Sequence, residues 1–220
     1  MRKVRIRFRK LGRARFISHL DLNRCMARAV RRAEVPIWYT EGFNPHPYIT
    51  FALPLSIFYC SFCEAMDAKL EGDMSFEEVK SRLSIQMPEG IEIYDIYEPV
   101  MKYADITFAR YKTLLEFDGV GEDTLGQAFK ELSGRDSLEI ERPTKHGTRV
   151  VDVRPYLTDA RTSVCISDGR IELDVVLPAG QNNINPSVFA LAFGRYAGMA
   201  PDTCDATRIE IYNGALEPFK

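Results

Sequence analysis

Residues 3–9 read Lys-Val-Arg-Ile-Arg-Phe-Arg, a strict alternation of basic and apolar side chains. A period of two fits a β-strand, because successive side chains of a strand point to opposite faces. The pattern predicts a half-buried strand. Val4, Ile6 and Phe8 face a core, and Lys3, Arg5, Arg7 and Arg9 line an outer side open to solvent. A strand with one apolar face needs a cover for it, and the next segment supplies a candidate.

Lys10-Leu11-Gly12 turns the chain, and Ser18 followed by Asp21 resembles a capping box that opens a helix over about 18–34. Leu22, Cys25, Met26, Ala29, Val30 and Ala33 repeat at helical spacing and form its core stripe, while Arg24, Arg28, Arg31 and Arg32 lie opposite. Acidic neighbours at i±3 or i±4 are few, so these arginines are not mainly neutralised within the helix. Pro36 ends it. Ile37-Trp38-Tyr39 leads into Glu41-Gly42-Phe43-Asn44-Pro45-His46-Pro47, where two prolines fix a rigid, non-helical connection.

Residues 48–55 and about 64–70 read as paired strands. Ser75 with Glu78 caps a second helix to about Met87, and 91–97 alternates as a strand. The order β-α-β-β-α-β is the ferredoxin-like arrangement. The second half repeats it loosely. Strands fall near 109–117, 137–140, 149–153, 162–166, 170–177 and 207–212, with helices near 122–132 and 186–196 and a hairpin signal at Ser167-Asp168-Gly169. The expected fold class is α+β with two tandem ferredoxin-like units. Residues 1–102 form a basic domain and 103–220 a second one, irregular because of an extra hairpin.

The chain of 220 residues has a formal net charge of −2, which hides an asymmetry. Residues 1–50 hold twelve Lys/Arg against three Asp/Glu, and the remaining residues hold seventeen against twenty-eight. A basic block on an acidic body points to a polyanion partner, or to a solvated face with internal ion pairs. No run approaches the roughly 18 apolar residues of a membrane span. The opening Met-Arg-Lys-Val-Arg-Ile-Arg-Phe lacks the apolar core of a signal peptide. Five cysteines at irregular spacing fit free thiols in a reducing compartment, so a cytoplasmic location without membrane attachment is expected.

Arg15-Phe16-Ile17-Ser18-His19-Leu20-Asp21 places a histidine and a helix start beside the arginine face. Ser18 and Asp21 there either cap the helix or help hold an anion at its N-terminus, and His19 either packs or acts. Phe43, Asn44 and His46 suit stacking on a base and bonding its edge, or else plug the loop. Cys60-x-x-Cys63 lacks a second pair, so it reads as structural, and neither metal nor cofactor is expected. Walker, dinucleotide-binding and nucleophile-elbow signatures are missing, as is the three-cysteine cluster motif of radical S-adenosylmethionine enzymes. His146 falls in the polar turn Lys145-His146-Gly147-Thr148 and reads as merely exposed.

Three motifs occur in order: Arg15-Phe-Ile-Ser-His-Leu-Asp-Leu-x-Arg24, Arg31-Arg32-Ala-x-x-Pro36 and Gly42-Phe-Asn-Pro-His-Pro47. Together they resemble the signature of the DUF2344, or radical-SAM-linked, family, closely over residues 1 to about 72. The resemblance implies an uncharacterised protein that partners a radical S-adenosylmethionine protein; it supplies a partner rather than a reaction. More distantly, tandem ferredoxin-like units with a histidine near the first helix resemble the Cas6 class of CRISPR RNA endonucleases. The glycine-rich C-terminal loop of that class is absent, and Gln181–Asn185 stands roughly in its place.

The resulting expectation is an RNA-binding adaptor for a radical S-adenosylmethionine enzyme, in RNA modification or processing. Arg7, Arg9, Arg15, Arg24, Arg28, Arg31 and Arg32 contact RNA, about four to six phosphates in all, and Phe43, Asn44 and His46 contact bases. Two alternatives stay open. One is a metal-independent Cas6-like ribonuclease with His19 or His46 as general acid or base. The other is a protein-interaction scaffold.

Overall fold

Ser18 Oγ accepts the backbone N–H of Asp21, and Ser75 Oγ that of Glu78, each at 3.1 Å. Each bond satisfies one of the free amides at a helix start. They set the beginnings of α1 (His19–Arg32) and α2 (Phe76–Ile85). The computed structural model describes residues 1–144 and 147–220, so the turn expected at Lys145 and His146 lies outside the described residues.

The chain divides into two units, Met1–Thr107 with Arg208–Lys220, and Phe108–Thr207. In the first, β1 (Arg2–Lys10) lies between β3 (Cys60–Leu70) and β4 (Ile91–Tyr97), antiparallel to both. β2 (Ile49–Phe51) pairs antiparallel with β3. Val4, Ile6 and Phe8 enter a core with Leu22, Met26 and Val30 of α1, and Val79 and Leu83 of α2. Burying a side chain of this size contributes roughly 1.5–3 kcal/mol, which is why α1 holds its stripe inward despite four arginines on its back.

The opposite face of β1 departs from expectation. Arg5 and Arg7 are buried rather than solvent-facing. Arg5 makes two bonds to the Asp67 carboxylate, at 2.7 and 2.8 Å, and its guanidinium lies 4.2 Å from the Phe219 ring centroid. Arg7 donates to the Phe219 carbonyl at 2.6 Å and to Tyr97 Oη at 3.1 Å. The cover is the end of the chain, where Phe219 is fully buried. A domain ending at 102, with everything after it in a second one, is therefore corrected, since Arg208–Lys220 returns to the first unit. The return rests on contacts distant in sequence, which no local pattern announces.

In the second unit β9 (Arg170–Pro178) pairs antiparallel with β5 (Phe108–Glu116) and with β8 (Ser163–Ser167). The tight turn at Asp168-Gly169 has glycine at φ 71°, a left-handed conformation without penalty only for glycine. α3 (Glu122–Ser133) buries Leu125, Ala128 and Leu132. β6 (Glu139–Thr144) and β7 (Gly147–Asp152) pair as a separate two-stranded ribbon. α4 (Arg154–Leu157) and α5 (Ser187–Ala192) are short, and β10 (Thr203–Tyr212) carries the chain back to the first unit. The fold class is α+β with mostly antiparallel strands. Among the described residues no helix is long and apolar enough to cross a membrane.

Candidate nucleic-acid interface

Arg24, Arg28 and Arg32 are spaced by four and lie along one side of α1, where i and i+4 side chains stack. With Asp21 and Cys25 they line one side of a groove of about 560 Å³ whose other side is Ile85, Gln86, Met87 and Pro88, at the end of α2. Arg32 donates to the Gln86 carbonyl at 3.1 Å, and Arg24 pairs with Asp21 at 3.2 Å. Among the described residues no carboxylate pairs with Arg28 or Arg31. All four arginines are exposed, and Arg31 is outside the groove lining. The arrangement presents cationic, hydrogen-bonding groups at the spacing of successive helical turns to one open hollow. Polyanionic chains are held in this way.

The α2 side of the groove had no signal in the sequence. Residues 85–88 are apolar or neutral, and they became part of the site only because the core stripe packs α1 alongside α2.

At the start of α1 the Ser18 hydroxyl donates to Asp21 Oδ2 at 2.7 Å while accepting from Asp21 N–H. That bond, with Arg24 nearby, holds the Asp21 carboxyl below its ordinary range. Capping thus satisfies one of the free amides of this helix start, and the Asp21 carboxylate puts a negative charge beside it. His19 packs edge-on to Phe51 with ring centroids 5.1 Å apart. Arg15 donates to the Phe58 carbonyl at 2.6 Å and accepts Phe58 N–H at 2.8 Å through its own carbonyl. Arg9 reaches Glu92 at 3.3 Å with both side chains substantially exposed. The arginines expected in one set therefore separate. Arg7 is internal, Arg15 braces a loop, Arg9 has a carboxylate, and Arg24, Arg28, Arg31 and Arg32 stay together on α1.

Phe43 at the tip of the 41–47 loop is fully exposed, at 110% relative accessibility, so it is no plug. The loop is pinned beneath it. His46 N–H donates to Thr40 Oγ1 at 3.2 Å, and His46 Nδ1 lies 3.0 Å from the Asn44 carbonyl and 3.1 Å from Thr40 Oγ1. A carbonyl only accepts, so neutral His46 carries its proton on Nδ1 and leaves Nε2 with its lone pair. Phe16, Leu20, Ile57 and Phe58 are further exposed apolar side chains, of which Phe16 and Phe58 meet edge-to-face at 6.0 Å. Phe58 is held at φ 74°, unusual for a bulky residue.

Among the described residues no group of three or more His, Cys, Asp or Glu side chains is placed to hold a metal ion. Cys63 is buried, and burial pushes its thiol up to about 12. In the second unit a hollow of about 690 Å³ is lined by Glu116, Asp168 and Asp202, among others. Those three carboxylates hold turns and pairs. Asp168 accepts Glu122 N–H, Asp202 accepts Asp118 N–H, and Glu116 takes Thr203 and Arg170.

A family model described as an uncharacterized protein conserved in bacteria (DUF2344) matches residues 3–186. No curated protein matches the chain. One similar solved structure is the crystal structure of a Cbf5-Nop10-Gar1 complex, 14% identical over 94% of this chain and 48% of that one, with a TM-score of 0.49. Another is a heavy metal efflux pump, 8% identical over 94% of this chain and 28% of that one, with a TM-score of 0.25. The chain thus spans about half the length of the first and less of the second.

Proposed function

The chain belongs to the DUF2344 family, and on that premise we propose that it binds RNA through the arginine face of α1 and presents it to a radical S-adenosylmethionine enzyme for modification or processing. The observation that carries the RNA reading is the alignment of Arg24, Arg28 and Arg32 along one open groove. A phosphodiester backbone is the ligand that repays several exposed guanidinium groups in a row, because each contact releases condensed counterions. Surface arginines that served only solubility would have no reason to converge on a hollow.

An adaptor needs a second surface for its enzyme. Phe16, Leu20, Ile57 and Phe58 expose large apolar area, and exposed aromatic and aliphatic groups of this kind anchor protein partners. Their support for a partner is independent of the groove.

The test is fluorescence anisotropy of a labelled single-stranded RNA titrated with the protein. Binding that weakens steeply with salt and is lost when Arg24, Arg28 and Arg32 are all changed to Ala is the expected result. Binding unaffected by the triple change would overturn the assignment of the groove. The adaptor role is tested by co-purification with a radical S-adenosylmethionine protein, with and without Phe16→Ser and Phe58→Ser. Retention of the partner by both variants would count against the apolar surface.

A further inference from the structure

Lys3 and Lys69 are directly opposed in the antiparallel register of β1 and β3. Directly opposite residues point to the same face with Cβ atoms about 5 Å apart, and like charges so placed are destabilising. Arg5, two residues along the same face, has Asp67 opposite and pairs with it. Among the described residues Lys3 and Lys69 have no carboxylate partner. This end of the face has two cations where its neighbour has an ion pair.

Beside the lysines lie two aromatic rings. Trp38 N–H donates to the Lys69 carbonyl at 2.8 Å and Tyr48 N–H to the Trp38 carbonyl at 2.9 Å, which fixes the base of the 37–48 hairpin against β3. The Trp38 and Tyr48 rings are 5.4 Å apart. Lys69 Nζ rests over both, 4.6 Å from one centroid and 4.8 Å from the other. Tyr48 is exposed and Trp38 partly so. Phe43 and His46 sit at the tip of the same hairpin. The end-of-chain residues that roof Arg5 and Arg7 leave Lys3 exposed.

We infer that Trp38, Tyr48, Lys3 and Lys69 form a stacking site for single-stranded nucleic acid. A base takes the ring face that Lys69 now covers, and its phosphate draws the flexible Lys69 ammonium toward Lys3. This exchanges a lysine–lysine repulsion for two lysine–phosphate contacts and a cation–ring contact for base–ring stacking, which tolerates any base. A duplex keeps its bases stacked on each other and has none to offer. The inference rests on the RNA-binding reading above and specifies the strand form. The site lies on the opposite sheet face from α1, so it acts separately from the arginine groove.

Trp38 is the sole tryptophan of the chain, so its fluorescence reports on this site alone. The experiment titrates the full chain with a twelve-nucleotide single-stranded RNA, the matching duplex, and polyglutamate. Alongside wild type it tests Tyr48→Ala, Tyr48→Phe, and the exposed charge reversal Lys3→Glu. Saturable quenching by the single strand only is expected, with affinity about tenfold weaker in Tyr48→Ala and Lys3→Glu and kept in Tyr48→Phe. Should Tyr48→Ala lose its circular dichroism signal, Lys3→Glu decides. Equal quenching by duplex or polyglutamate overturns the stacking site, as does binding by anisotropy with no change at Trp38. If that anisotropy binding needs Arg24, Arg28 and Arg32, the RNA reading survives the loss of the site. If the triple Ala variant keeps both the quenching and the full wild-type anisotropy affinity, the groove falls and the stacking site stands. No binding of any strand overturns both.

Discussion

Arg208 Nη1 lies 2.9 Å from Glu64 Oε1, and both side chains are almost fully buried. Arg208 also donates to the carbonyls of Leu53 and Pro54. Lys10 is buried too, and its burial holds the ammonium below the ordinary lysine range, with Glu64 opposing that shift and Arg208 adding to it. Glu64→Gln removes the carboxylate that pairs with buried Arg208 and favours the charge of buried Lys10, at a cost of about 3–5 kcal/mol. Urea unfolding at neutral pH measures it, and an unchanged midpoint would mean that the ion pair is not closed in solution.

The same residues fix a dependence on pH. With its native-state pKa depressed, Lys10 binds fewer protons in the native chain than in the unfolded one, between that lowered pKa and the ordinary lysine value of about 10.5. Stability from this group therefore rises with pH through that window. Removing Glu64 depresses Lys10 further and widens the window downward. The Glu64→Gln variant should recover more of its stability than wild type gains between about pH 7 and 10. Equal slopes in the two proteins would show that Glu64 does not set how Lys10 titrates with folding.

Arg5 and Arg7 mark where sequence and structure part. The alternation of residues 3–9 correctly placed Val4, Ile6 and Phe8 in a core, because an apolar face at period two has only one economical location. It could not say what lies on the other face, since arginine suits both water and a buried ion pair. The cover comes from Phe219, two hundred residues later, and from Asp67. Similarly, the stripe of α1 was readable but the groove was not, because its far wall at Ile85–Pro88 has no distinguishing chemistry. The prediction is that Arg7→Ala lowers stability by about 2–4 kcal/mol while leaving nucleic-acid affinity per folded molecule unchanged. Loss of affinity without loss of stability would return Arg7 to the binding surface.

With Arg7 internal, the cations available on α1 are Arg24, Arg28, Arg31 and Arg32. Three to four phosphates at roughly 0.7 each give a slope of about −2 to −3 for log affinity against log salt on a single strand. Each Arg→Ala change among the four should flatten that slope by somewhat less than one. A slope that stays at its wild-type value in Arg28→Ala would remove that residue from the contact.

The cysteines differ in reach. Burial raises the thiols of Cys63 to about 12 and of Cys204 to about 11, and it raises Cys25 as well, whereas Cys165 is exposed. The thiolate is the reactive form, so at pH 8 a maleimide or iodoacetamide should modify Cys165 first and Cys63 only after unfolding. Mass spectrometry of digested, timed samples reads the order. Early modification of Cys63 would mean that β3 opens readily around it.

The two histidines separate a binder from a ribonuclease. His19 leans its ring on Phe51, with Ser18 and Asp21 engaged in capping the helix beside it, so the geometry gives His19 a packing role. His19→Ala should cost about 1–2 kcal/mol of stability through lost ring contact. His46 is differently placed. Its Nδ1–H is committed to the Asn44 carbonyl, which leaves Nε2 able to accept a proton or a hydrogen bond on an exposed, pinned loop. That is the form a general base takes, and equally the form that reads a base edge. General acid–base cleavage needs a second proton-transferring group within reach, and His46's hydrogen-bond partners are a threonine and a backbone carbonyl. The expected outcome is therefore that pure protein in chelator leaves a labelled RNA intact, and that His46→Ala weakens binding several-fold by loosening the loop that carries Phe43. Cleavage by wild type, reduced roughly 10²–10⁴-fold by His46→Ala with affinity untouched, would make the chain a nuclease and His46 its catalytic residue.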